Sequence, residues 1–442
     1  MLPPQHKGNL VLGVMPEFNR DQLGFITRCR DLGDVVRLRF FYLTVFFIYH
    51  PDDIENVLST NAKNFIKSRS LRTPFFRRLV GNGLLTSEGE FWRRQRRLAQ
   101  PAFHRQRISA YGEVMVEYAQ RMISTWREGE TRDIHRDMMR LTLEVVVKTL
   151  FNADVSGDAD RVGKVLAQLV KPFGSQATLK WILDNRLPTL GHRRFYRAAQ
   201  EIDDVVFRII SERRASRLDE GDLLSMLLQA HDEDDGSQMT DQQLRDEVMT
   251  LFLAGHETTA LTLSWTWFLL AHNPDVESRF HEELERVLGG NPPSVADLPR
   301  LRYTEMIAKE SMRLYPPAFG LGRESIEECE LGGFRIPAKS QVFMFSWATQ
   351  RDPRFFSEPD RFEPERWTEN RSTGLPKYAY FPFGGGPRAC IGNYFAMMEV
   401  VLLLATIGQR FRLPLVKDQR VELFPAMSLR PRDGVKVTVE RR

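Results

Sequence analysis

Phe381-Pro-Phe-Gly-Gly-Gly-Pro-Arg-Ala-Cys-Ile-Gly392 is the stretch on which the reading of this chain turns. Three consecutive glycines permit positive φ and let the backbone approach a flat ligand closely. Arg388 stands two residues before Cys390, and a cationic neighbour favours a thiolate over a thiol. From Phe395 to Gln409 the pattern is helical, so Cys390 falls just before a helix start. There the helix's free N–H groups and its dipole oppose negative charge. A lone cysteine beside a glycine turn is ordinarily a core residue. The loop alone therefore offers a thiolate but names no metal.

The rest of the chain narrows the class. Its 442 residues are 42% hydrophobic and 27% charged, with 30 Phe, which favours a sizeable core over disorder. A formal charge of +4 without a dense Lys/Arg tail is too weak to argue for a nucleic-acid partner. Cys29, Cys329 and Cys390 are the only cysteines. Such an odd, sparse set makes no disulfide framework, shows no zinc spacing, and points to a reducing compartment. No apolar run near the N-terminus is long enough for a signal peptide or a membrane span, so the expected location is the cytoplasm.

Residues 35–49 are rich in β-branched and aromatic residues and read as a strand pair. From about Asp52 to Leu288 the pattern is mainly helical, broken at Gly81-Asn82-Gly83 and Leu187-Pro188. Its longest segment, Asp241 to His272, starts after Thr240 and stops at Asn273-Pro274. Strand-like runs return after Pro316-Pro317, with Leu331-Gly-Gly-Phe334 as a turn, and again around Val421 to Leu429 and Val435 to Val439. No repeat or linker divides the chain. The expectation is a mainly α fold with small β-sheets (α+β), as one domain spanning residues 1–442.

Phe383-x-x-Gly386-x-Arg388-x-Cys390-x-Gly392 resembles the heme-binding signature of the cytochrome P-450 superfamily. Chance recurrence of those five residues is on the order of one in ten thousand. The resemblance extends over essentially the whole chain. Glu310-Ser-Met-Arg313 matches the family's Glu-x-x-Arg, and Pro364-Glu365-Arg366-Trp367 matches its Pro-Glu-Arg-Phe/Trp element. Together these imply a structural ion-pair cluster of Glu310, Arg313 and Arg366, and a P-450 fold with a long central helix over the heme.

Leu253-Ala-Gly-His-Glu-Thr-Thr259 breaks helical preference in the middle of that long helix, where a functional site is expected. A threonine hydroxyl there can bond back to a carbonyl one turn earlier. The segment is similar to the family's (Ala/Gly)-Gly-x-(Asp/Glu)-Thr-Thr. The resemblance implies Thr258 as the proton-relay threonine, Glu257 as its acid, and Ala254 as a pocket residue. A zinc-protease reading of His256-Glu257 fails because position 260 is Ala.

The same resemblance implies heme b (iron protoporphyrin IX) ligated by Cys390, under Phe383. Trp92, Arg96, Arg388 and Arg323 are then the propionate partners. Leu84, Leu85, Ala254, Ala318, Phe319, Leu321, Ala426 and Met427 match positions that line substrate pockets. Nearly all are apolar, which favours a fatty acid, terpenoid, steroid or carotenoid. The implied activity is monooxygenation: one atom of dioxygen enters a C–H bond, driven by the thiolate's electron donation. With no fused reductase domain, electrons are expected from a separate donor such as a ferredoxin or flavodoxin with its reductase. Arg93, Arg94 and Arg97 are either a solvated face or the docking patch for that donor. The protein is expected to be a monomer. A heme-thiolate isomerase or peroxygenase is the chief rival, and a heme-based sensor the second. The Glu257–Thr258 pair favours the monooxygenase.

Overall fold

The structure, a computed structural model, describes residues 3–104, 108–152, 165, 190–216, 218–231 and 236–442. The turn expected at Leu187-Pro188 lies outside the described residues.

The longest helix runs from Asp241 to His272, as its periodicity suggests. Its start is a reciprocal cap: Gln243 N donates to Thr240 Oγ1 at 3.2 Å, and Thr240 N donates to Gln243 Oε1 at 2.8 Å. Asn273 ends it, and Pro274 opens the next helix, Pro274–Leu288. Almost all of its circumference is buried, so it passes through the core instead of over it. It crosses the helix Ile134–Phe151 at Gly255, where a Cβ would stand 3.2 Å from Val146. That glycine, out of place by helical propensity, allows the close crossing. The C-terminal helix Asn393–Gly408 is buried from Met398 onward and packs in the same core with Arg302–Leu314.

A five-stranded sheet stands beside this helical body. Its order is Val35–Phe40, Leu43–Ile48, Gln341–Met344, Leu321–Ser325, Phe65–Lys67. Only the pairing of Leu43–Ile48 with Gln341–Met344 is parallel. The expected turn at Gly332-Gly333 joins the two-stranded pair Cys329–Leu331 and Phe334–Ile336. Near the C-terminus, Leu423–Pro425 pairs with Leu429–Pro431 as a hairpin.

The Glu310–Arg313–Arg366 cluster forms as its motifs imply. Glu310 and Arg313 are both fully buried. Arg313 Nε and Nη2 each donate to the Glu310 carboxylate at 2.8 Å. Arg366 Nε and Trp367 Nε1 approach the same carboxylate at 3.3 and 3.0 Å. Arg313 Nη1 also donates to Gln350 O at 2.9 Å, and Gln350 Oε1 accepts from Phe381 N at 3.1 Å. The cluster is thereby tied to the first residue of the cysteine loop.

Candidate active site

The glycines before Cys390 are needed where they stand. Gly384 and Gly386 have φ of +69° and +63°, and a Cβ on Gly386 would lie 1.7 Å from Leu58 O. The loop closes with Cys390 N donating to Phe383 O at 2.9 Å, and the C-terminal helix begins at Asn393. Cys390 keeps exposed surface, whereas Cys29 is buried and Cys329 half-buried. Desolvation by the surrounding protein nevertheless raises its pKa, opposed by the Gly392 N–H and by Arg96.

The guanidinium that favours the charged form of Cys390 is Arg96, where the sequence suggests Arg388. Arg388, adjacent in sequence, turns away: it pairs with Glu88, donates to Ser87 O at 3.1 Å, and lies 4.2 Å above the Trp92 ring. Arg96 acts on Cys390 instead, donating to Ala389 O at 3.0 Å and to Gln100 at 3.0 Å. It reaches the loop because helix Gly89–Ala99 carries Trp92 and Arg96 one turn apart on the face toward it.

Lys67 is a residue the sequence reading missed. It pairs in register with Arg323 across the sheet, and the two side chains are buried at 8% and 5% exposure. Like charges directly opposite one another are destabilising. Burial and the neighbouring Arg388 push Arg323 down to about 10, and burial with Arg323 and Arg388 pushes Lys67 well below its usual value. Glu88 is the carboxylate among them, bonded to Arg388 and to Lys67 N. Three cations (Lys67, Arg323, Arg388) less one carboxylate leave a formal excess of two positive charges. No local motif announces Lys67; only the strand register reveals it.

In the central helix, Ala254 is exposed and Gly255 and Thr258 half-exposed, while their neighbours are buried. The threonines bond back as expected: Thr258 Oγ1 to Ala254 O at 2.7 Å and Thr259 Oγ1 to Gly255 O at 3.1 Å. Glu257, one residue round the helix from Thr258, points elsewhere. Its Oε1 takes Arg430 Nε at 2.7 Å and bonds Ser428 on the C-terminal hairpin. Leu84, Leu85 and Met427 are half-buried against the main core. Ala318 is half-buried, and Phe319, at 6% exposure, packs with Phe345 and Leu429 as core.

The sequence matches the family model described as Cytochrome P450 over residues 3–439. The chain belongs to the cytochrome P450 family. It is similar to cyclooctatin synthase of Streptomyces melanosporofaciens, at 39% identity over 93% of this chain and 89% of that protein. Cyclooctat-9-en-7-ol 5-monooxygenase of the same organism is 36% identical over 91% of this chain and 87% of that one. Pentalenene oxygenase of Streptomyces avermitilis is 33% identical over 93% and 91%. The crystal structure of the cytochrome P450DA heme domain superposes with a TM-score of 0.90, at 27% identity, over 100% of this chain and 98% of that chain. This P450 is an oxygen-incorporating oxidoreductase that works with heme. No described helix is long and apolar enough to cross a membrane.

The residues present suit that cofactor. Among the described residues no cluster of three His, Cys, Asp or Glu could hold a metal ion. Lys67, Arg323 and Arg388, with Glu88 as the carboxylate among them, offer donors and cationic groups that suit the two propionates of heme.

Proposed function

We propose that this P450 hydroxylates a terpenoid hydrocarbon or a terpenoid alcohol, using heme b and electrons from a separate ferredoxin or flavodoxin with its reductase. The observation that carries the reading is the open patch of Ala254 and Thr258 on an otherwise buried helix. The names of the relatives, which include an oxygenase of pentalenene and a monooxygenase of cyclooctat-9-en-7-ol, support the substrate class.

Cys390 would hold heme as a thiolate, with Phe383 beside it and Trp92, Arg96, Arg388, Arg323 and Lys67 around its rim. When bound, heme supplies reductive activation of dioxygen. The protein's own part is binding, exclusion of water and proton handling. Leu84, Leu85, Ala254, Ala318 and Met427 would give the substrate an apolar seat, with Phe319 as support behind it. Thr258 would hold a proton at Oγ1, exchanging its bond to Ala254 O for one directed into the pocket. Glu257 would replace that proton.

Turnover with pentalenene and cyclooctat-9-en-7-ol in the presence of a ferredoxin system tests the reading. The expected result is an alcohol product. Thr258→Ala should lower product per electron consumed by at least about tenfold, the scale of a lost proton-transfer group. Equal coupling in Thr258→Ala would overturn Thr258's role. Product formation with added peroxide alone, and none with dioxygen and donor, would favour a peroxygenase.

A further inference from the structure

The C-terminal hairpin meets the central helix at Glu257, the residue next to Thr258. Successive helical residues point about 100° apart, so Glu257 faces the hairpin when Thr258 faces the pocket. Glu257 is 4% exposed. Its Oε1 accepts hydrogen bonds from Arg430 Nε at 2.7 Å and from Ser428 Oγ, and forms an ion pair with Arg430 Nη2 at 2.6 Å. Arg430 Nε also donates to Ser428 Oγ at 3.2 Å. His135 and His256 are the other ionisable side chains within electrostatic reach of both Glu257 and Arg430. Burial drives His135 down to about 4 and lowers His256, which disfavours a charge on either imidazole beside Arg430.

The turn that carries this latch is held from three sides. Ala426 N donates to Ser428 O at 3.0 Å, closing the turn around Met427. Leu429 N donates to Pro317 O at 3.0 Å, next to Ala318 and Phe319. Trp265 Nε1, two turns along the central helix from Glu257, donates to Leu429 O at 2.9 Å. Met427 is thus joined through a closed turn to Ser428, whose hydroxyl holds Glu257.

We propose that Arg430 and Ser428 are positioning residues that hold Glu257 away from Thr258 until a substrate seated against Ala426 and Met427 releases it. The released carboxylate takes a proton from solvent and gives it to Thr258 Oγ1 as Thr258 passes its own hydroxyl proton into the pocket. Glu257 returns to a carboxylate, one solvent proton has reached the pocket, and no electrons move in the exchange. The inference rests on the reading of Glu257 and Thr258 as the proton-delivering pair. Linkage makes it measurable by binding alone: a ligand that favours the released latch must bind more tightly when the latch is already absent.

The test is equilibrium binding of clotrimazole, a bulky hydrophobic azole, to the heme-loaded protein, followed by the shift of the Soret band. Arg430→Gln and Glu257→Gln are each expected to tighten binding by about fivefold. The double variant should be no tighter than either single one, because both remove the same latch. Arg430→Lys should return affinity toward the parent value, which a mere loss of packing would not do. Unchanged or weakened affinity in Arg430→Gln, or effects that add in the double variant, would overturn the proposal. Turnover separates the underlying reading: if Glu257→Gln keeps full coupling while the binding cycle is non-additive, the latch stands and the proton role of Glu257 falls.

Discussion

Replacing Glu310 by Gln removes one negative charge from a site where neither partner sees solvent. In the folded protein Glu310 accepts from Arg313, Arg366, Trp367 and Glu363 N, and both it and Arg313 are fully buried. The amide keeps the shape and an acceptor oxygen but leaves the Arg313 guanidinium without its counter-charge. Removing one member of a buried pair costs about 3–5 kcal/mol. Arg313 retains three backbone acceptors, Gln350 O, Pro359 O and Arg361 O, at 2.9, 2.6 and 3.0 Å. These place the expected loss at the lower end, about 3 kcal/mol, still a large part of the ~5–15 kcal/mol typical of a folded domain. Because Arg313 reaches the cysteine loop through Gln350 and Phe381, heme retention should fall with stability. Urea unfolding followed by circular dichroism, with heme transfer to apomyoglobin in parallel, measures both. The exposed Arg279–Glu365 pair is the control, and Arg279→Gln should cost less than about 1 kcal/mol. A loss below about 1 kcal/mol in Glu310→Gln, with heme retention unchanged, would refute the reasoning.

Lys67→Met is expected to act with opposite signs in the two forms of the protein. It relieves repulsion with Arg323 and Arg388 and so stabilises the apoprotein. It also removes a charged partner of a propionate and should speed heme loss about tenfold or more; equal signs in the two assays would count against the propionate assignment. Burial pushes Glu247 up to about 8, above the unfolded value of 4.5. Its stabilising contribution is full below pH 4.5 and is lost as pH rises through about 8. Above pH 6.5 His135 is neutral in both states. There stability should fall by up to about 1.4 kcal/mol per pH unit, and Glu247→Gln should flatten that slope in pH-dependent unfolding. Reversing Arg93 and Arg94 to Glu should weaken the salt dependence of reduction by an acidic ferredoxin, measured by stopped flow; an unchanged dependence would remove these residues from the docking surface.

Much of this architecture was legible because local signals carry it. The capping box at Thr240 and Gln243 and the Asn273-Pro274 stop bound the central helix. The β-branched and aromatic run over residues 35–49 yields the first two strands of the large sheet. The cysteine loop is legible for a different reason: positive φ at Gly384 and Gly386 and the approach of Leu58 O leave no room for another residue. What stayed hidden depends on chain segments far apart in sequence. Lys67 matters because its strand lies against Arg323, and sequence gives no register for a three-residue strand. Arg388 seemed the thiolate's partner because it is near in sequence, yet Glu88 and Trp92 draw it away and Arg96 takes its place. Glu257 was legible as an acid by motif, but its bonds to Ser428 and Arg430 come from a hairpin some 170 residues later.

The spectrum of the dithionite-reduced, carbon monoxide-bound protein tests most directly whether Cys390 ligates the heme iron. The account predicts the red-shifted Soret band of a thiolate-ligated heme, retained in Cys29→Ala and Cys329→Ala and lost in Cys390→His. A thiolate-type band that survives in Cys390→His, or one that never appears in the parent protein, would contradict it.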